Sequence, residues 1–175
     1  DAAVAGILAD KVQPGDVVQF PTEGVTLCCG LNGVLVLQFA SGENQRYGPD
    51  PVSPGEWRMV DIHDRRGNVQ YLDWGEDGRL SAICGDNEAL KVRLYYHPQH
   101  GRLSRVCQVT MEDNAEHLLV AYDYTASGEL LSVTDADGVV TRRFSWHAHG
   151  LLATHCYASG LRIGYGGTES ADGPA

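Results

Sequence analysis

Four times along this chain an aromatic residue, a glycine and a leucine recur in the same order, and no other feature restricts the fold as much. Aligned on the glycine, Trp74 precedes Gly78, Tyr96 precedes Gly101, Tyr124 precedes Gly128 and Trp146 precedes Gly150. Two residues after each glycine stands a leucine, at Leu80, Leu103, Leu130 and Leu152. Three further on come Ile83, Val106, Val133 and, as the departure, His155. Successive glycines are about 22 to 27 residues apart, which suits a repeat that tolerates turns of different length.

The segments around these markers alternate apolar and polar residues with period two, and each is followed by Gly, Asp, Asn or Ser, the signal of β-hairpins in series. Strands are predicted over 69–74, 79–84, 90–97, 102–111, 117–124, 129–135, 139–146, 151–157 and 161–165. Between them lie Asp77-Gly78, His100-Gly101, Ser127-Gly128, Asp137-Gly138 and Ser159-Gly160, where glycine supplies the positive φ of a tight turn. Asp137-Gly138 reads as a type I′ turn. The expected fold is all-β: an antiparallel hairpin meander in which Trp74, Leu80, Tyr96, Leu103, Tyr124, Leu130, Trp146 and Leu152 are the packing residues. A hairpin cannot bury its own alternate side chains, so successive units pair edge to edge. At about 4.8 Å per strand, nine or so strands make a sheet roughly 40 Å wide. Such a sheet is expected to twist and curl, and so to close or to form the wall of something larger.

Residues 1–56 differ in texture. They carry short apolar stretches such as Val34-Leu35-Val36-Leu37 and end in a loop through Pro49, Pro51 and Pro54. A short helix is expected over 2–12, stopped by Pro14-Gly15. Three parts follow: a β-rich segment at 1–56, the repeat sheet at 57–165 and a small, polar, mobile tail at 166–175. The ends read as fragment ends.

With 13 Lys and Arg against 23 Asp and Glu, the net charge of -10 repels phosphate backbones and makes nucleic acid a poor partner. No apolar run approaches the ~20 residues that span a bilayer, and nothing has the layout of a secretion signal, so export would be directed from outside the segment. Five cysteines, an odd number, and the lack of any Asn-x-Ser/Thr point to folding in a reducing compartment.

The run from Tyr122-Asp123-Tyr124 through Gly128-Glu129-Leu130 to Asp137-Gly138 resembles the tyrosine-aspartate (YD) repeat of bacterial Rhs proteins. Asp64-Arg65-Arg66-Gly67-Asn68 with Gly78-Arg79-Leu80 is similar to the start of the repeat region in that family, and Thr141 through Trp146 and Gly160-Leu161-Arg162 through Tyr165 match it too. The resemblance covers about 57–165. Only Tyr122-Asp123 keeps the literal dipeptide; Leu72-Asp73, Tyr95-Tyr96 and Phe144-Ser145 stand at the other units. The resemblance implies one segment of a spiralling β-shell that encloses a C-terminal toxin and is often delivered by a type VI secretion system. Its implied partners are the rest of the shell, the enclosed toxin domain and a secretion spike or chaperone. It also implies synthesis in the bacterial cytoplasm before export. No toxin and no autoproteolysis motif lie in these residues.

No catalytic, cofactor or metal site is expected. Cys84, Cys107 and Cys156 each stand six residues after a repeat glycine, but alternate strands hold backbones ~9–10 Å apart, beyond disulfide reach, so they read as small hydrophobes. Cys28-Cys29 point to opposite faces. His147, His149, His155 and Cys156 offer a zinc or hydrolase alternative, set against exposed turn histidines. Asp135 and Asp137 lack the further oxygen ligands of a calcium loop. Trp57, Trp74 and Trp146 give the rival function, a β-sheet module binding carbohydrate or protein, for which cross-strand packing is the plainer account. Open sheet edges also raise the expectation of edge-to-edge self-association.

Overall fold

The structure, a computed structural model, describes residues 12–86, 90–110 and 112–166. The helix expected over 2–12 lies outside the described residues but for its last position, and the tail expected over 166–175 lies outside them but for its first.

The chain divides into two compact units, Asp1–Val92 and Arg93–Ala175. The first contains β1 (Val17–Phe20), β2 (Val25–Cys29), β3 (Leu35–Phe39), β4 (Asn44–Pro49), β5 (Trp57–His63), β6 (Val69–Trp74) and β7 (Leu80–Gly85). Each pairs antiparallel with the next. β8 (Lys91–Tyr96) runs across the division. The second unit continues with β9 (Leu103–Val109), β10 (Glu116–Tyr124), β11 (Leu130–Asp135), β12 (Val140–Trp146), β13 (Leu152–Tyr157) and β14 (Arg162–Gly164). From β9 on, neighbours in sequence again pair antiparallel. A 3-10 turn, Ala148–Gly150, lies between β12 and β13. The all-β hairpin meander expected from the period-two alternation is what forms, and the nine expected strands appear as β6 to β14 with ends moved by a residue or two.

Five further strands, β1 to β5, precede them, built from the apolar stretches of 1–56 and the Trp57–His63 segment. β4 pairs with β5 across the Pro-rich loop, Gly48 opposite Arg58 and Pro49 opposite Trp57.

The turns share one geometry. At Gly138, the Asp135 amide donates to the Val139 carbonyl at 2.9 Å and the Gly138 amide to the Asp135 carbonyl at 3.1 Å. Gly138 has φ +77°, while Asp137 is absent from the residues of positive φ, so the loop has three residues with a left-handed glycine at its end and is not the two-residue type I′ turn. The pattern repeats at Gly78, Gly128, Gly150 and Gly160. Gly101 differs: its amide donates to the His97 carbonyl at 2.8 Å and the His97 amide to the Arg102 carbonyl at 2.7 Å, one residue more. That extra residue is part of the irregular repeat spacing.

Among the described residues neither unit gathers a thick core. Extensive contact between elements is confined to strands that neighbour each other in the sheet. Among the described residues the buried set is Leu27, Cys29, Ala82, Cys107 and Val109, with Asp61, Ser132 and His155 as buried polar residues. A layer without a second layer against it leaves most apolar side chains half-covered.

Candidate functional site

The repeat residues meet at two kinds of seam. Within three of the hairpins the aromatic lies directly opposite the leucine: Trp74 opposite Leu80, Tyr124 opposite Leu130, Trp146 opposite Leu152. In all three the register slips just before the aromatic, between Asp73 and Trp74, Asp123 and Tyr124, and Ser145 and Trp146. The partner strand therefore carries one extra residue there, Ser81, Leu131 or Ala153, and this equivalent bulge is what turns each aromatic toward its leucine. All eight packing residues are half-buried, as a single sheet layer dictates.

Between hairpins the same aromatics reach the preceding unit. Tyr124 donates its hydroxyl to the carbonyl of Leu103 at 2.7 Å, and Trp146 donates Nε1 to the carbonyl of Leu130 at 2.7 Å. Trp74 donates Nε1 to the carbonyl of Met59 at 2.7 Å, and Trp57 to that of Gly33 at 2.9 Å. Trp74, Tyr124 and Trp146 thus each close their own hairpin and tie it to an earlier strand. Arg58 lies over the Trp74 ring, 5.6 Å from its centre, and Arg102 over Tyr124 at 5.9 Å, so the rings have both an occupied polar tip and a cationic cover. Burial pushes the Tyr124 phenol up, with Arg102 opposing.

The repeat glycines hold positive φ at Gly78 (+75°), Gly101 (+62°), Gly128 (+94°) and Gly150 (+73°). Gly128 is also crowded: a Cβ there would stand 3.4 Å from both Arg102 Nε and His100 Nδ1.

The histidines considered as a cluster do not assemble. His147 and His149 are exposed in the β12–β13 turn, where His149 itself takes φ +76°. His155 is buried on β13, stacked on Phe144 with centres 4.5 Å apart and on Tyr157 at 4.3 Å, and its Nε2 has no hydrogen-bond partner. Cys156, the next residue along the strand, faces the other side. Cys107 is buried and Cys84 Sγ lies 3.7 Å from an Asp73 carboxylate oxygen. Asp135 Oδ1 accepts from the amides of Asp137 at 3.0 Å and Val139 at 2.9 Å, so its carboxylate serves the turn. Among the described residues no group of three or more His, Cys, Asp or Glu is arranged to hold a metal ion.

Two polar assemblies escaped the sequence reading. Asp61 is buried on β5, 3.3 Å from Arg46 Nε on β4 and 3.0 Å from His63 Nε2. Glu116, at the start of β10, accepts from Arg93 and from the Tyr95 hydroxyl, and Arg105 covers the Tyr95 ring at 4.1 Å. The Tyr95 hydrogen bond, then Arg93, holds the Glu116 carboxyl below the usual range. The only advance signal was alternation, which puts Asp61 and His63 on one face.

Residues 124–165 match the RHS Repeat family. Over 106 residues the chain is 34% identical to the double-stranded DNA deaminase toxin A of Burkholderia cenocepacia (strain H111), a match covering 59% of this chain and 7% of that protein. Over 149 residues it is 28% identical to the toxin protein Tse5 of Pseudomonas aeruginosa, covering 75% of this chain and 11% of that one. Among solved structures, a TcdB2-TccC3-Cdc42 crystal structure overlaps 76% of this chain and 6% of its own at a TM-score of 0.43 and 14% identity. The chain therefore spans 7% and 11% of the lengths of these two curated relatives.

Proposed function

From a chain that belongs to the Rhs-repeat family, we propose a structural role: it is a segment of an Rhs-type β-shell that encloses a C-terminal toxin and is exported with it, in the type VI manner. The parts at 57–165 form wall and 1–56 leads into it. The segment confines and does not catalyse. Its partners are neighbouring wall segments, the enclosed domain and a delivery spike or chaperone, met after synthesis in the cytoplasm.

The observation that carries this reading is the seam: Tyr124 and Trp146 each close one hairpin and bind a leucine carbonyl of the hairpin before it. A chain built this way adds hairpins one after another, and its strength lies along the sheet rather than in a core of its own. The names of the two relatives, both toxins, agree with such a setting.

The test uses the full-length parent protein. Limited proteolysis should leave its C-terminal domain intact while the wall is intact. The double substitution Tyr124→Ala and Trp146→Ala should expose that domain to cleavage. Equal cleavage in both proteins at the rate of the isolated C-terminal domain would sink the proposal.

A further inference from the structure

All 23 Asp and Glu residues of this acidic chain lie outside residues 139–165, which contain β12, β13 and β14 together with Arg142, Arg143 and Arg162. Strand pairing sorts these arginines by face. Arg143 stands opposite Cys156 and Cys156 opposite Arg162, so the three share one face of the sheet. One pleat along on the same face, Ser145 stands opposite Thr154 and Thr154 opposite Gly164. Arg142 points to the other face, where its guanidinium lies over the Tyr157 ring, 5.1 Å from the centre.

Arg143 and Arg162 are exposed, and among the described residues neither takes part in an ion pair. With one strand between them, their backbones are about 10 Å apart. The Ser145 and Thr154 hydroxyls lie 2.7 Å from each other, so one hydrogen joins them and the other is free to donate outward. Beside Arg162, a Cβ at Gly164 would meet nothing within 4 Å, which leaves the shelf open. The carboxylate in the same cross-strand row, Asp123 on β10, is separated from Arg143 by Ser132 and accepts the Ser132 hydroxyl at 2.8 Å.

We propose that this face of β12 to β14 is a docking surface for an acidic polypeptide segment, extended and with a carboxylate at every second residue. The shelf offers two guanidinium forks and a hydroxyl donor, the chemistry that takes carboxylates in paired hydrogen bonds. In an extended segment, side chains two residues apart point the same way at a spacing of about 6.8 Å, which long arginine stems can meet. A short segment feels chiefly the charges within a screening length of about 8 Å, whereas a nucleic-acid strand would run on over the acidic remainder. This inference does not rest on the shell reading.

The test uses the 175-residue chain and a synthetic six-residue peptide alternating glutamate and threonine. Backbone amide shifts in a nitrogen-15 NMR titration are expected to move saturably at Arg143, Ser145, Thr154, Cys156 and Arg162, and not with the glutamine counterpart of the peptide. Arg143→Gln and Arg162→Gln should each weaken binding about tenfold, the scale of one charge-assisted hydrogen-bonded pair. Arg142→Gln removes the same charge from the opposite face and should leave the affinity unchanged. No saturable shift, or equal weakening by Arg142→Gln, would overturn the proposal. Equally tight binding of inorganic phosphate would make the shelf a simple anion site, and tighter binding of a six-nucleotide single strand would make it a nucleic-acid site; either result overturns it. Glu169 and Asp172 follow β14 in sequence, so binding seen only after removal of residues 167–175 would assign the face to the chain's own end and overturn it as well.

Discussion

His155 occupies a place that is isoleucine or valine in the three other repeats, and its Nε2 is buried with no partner. An unsatisfied buried polar atom costs about 1–3 kcal/mol. The near-isosteric His155→Leu is expected to stabilise the second unit by about 1 kcal/mol after the lost ring stacking, read as a higher urea midpoint at unchanged slope. His149 is one of two non-glycine residues with positive φ among those described, at +76°. His149→Gly is expected to add a further ~0.5–1 kcal/mol, because only glycine takes that conformation without strain. The glycines separate conformation from crowding. Gly138→Ala meets open space and should cost about 1 kcal/mol for φ alone, whereas Gly128→Ala also presses on His100 and Arg102 and should cost more. Equal losses at the two positions, by denaturant unfolding, would show that the Gly128 contact does not matter.

At the scale of strands, the hairpin-to-hairpin bond is open to a one-atom test. Tyr124→Phe removes the donor to the Leu103 carbonyl and leaves the ring opposite Leu130, so a loss of about 1 kcal/mol is expected, with amide exchange rising on both β9 and β10. If exchange rises on β10 alone, the hydroxyl does not couple the two hairpins. A second link, Tyr95 to Glu116, joins β8 to β10. Its carboxyl is held low chiefly by Tyr95, so its pKa is lower folded than unfolded. The stabilisation is complete above the unfolded value and vanishes as pH falls through the folded one, below about pH 4.5. Tyr95→Phe should raise the Glu116 pKa toward its ordinary value in a carbon-detected NMR titration; an unmoved pKa would assign the effect to Arg93.

Among the described residues, the sparse buried set and the confinement of extensive contact to neighbouring strands leave apolar side chains exposed in each unit. Val17 on β1 is 62% exposed and Ile163 on β14 is 37% exposed, each on a strand with one partner among the described residues of its unit. Exposed strand edges invite further strands. Light scattering on the purified chain is expected to show mass rising with concentration, and Val17→Lys with Ile163→Lys to suppress the rise, since an inserted charge blocks edge pairing. A concentration-independent monomer mass in the unsubstituted chain would contradict this.

Period-two alternation and turn glycines determined the all-β class, the antiparallel order and the strands after residue 64, because side-chain direction in a strand is a local property of the backbone. In three of the repeats a fixed count from the glycine also fixed the aromatic and the leucine as a pair, whereas Tyr96 stands one residue farther from Gly101. The strands of 1–56 were less legible because their apolar runs are short and their turn glycines, Gly24, Gly33 and Gly42, carry no matching aromatic and leucine. Alternation could not reveal the bulges before Trp74, Tyr124 and Trp146, because an extra residue on one strand shows only against its partner. The burial of Asp61 between β4 and β6, the partnerless nitrogen of His155 and the meeting of His100 with the turn at Gly128 were likewise decided by tertiary structure. Each depends on residues that are distant in the chain and become neighbours only when strands align side by side.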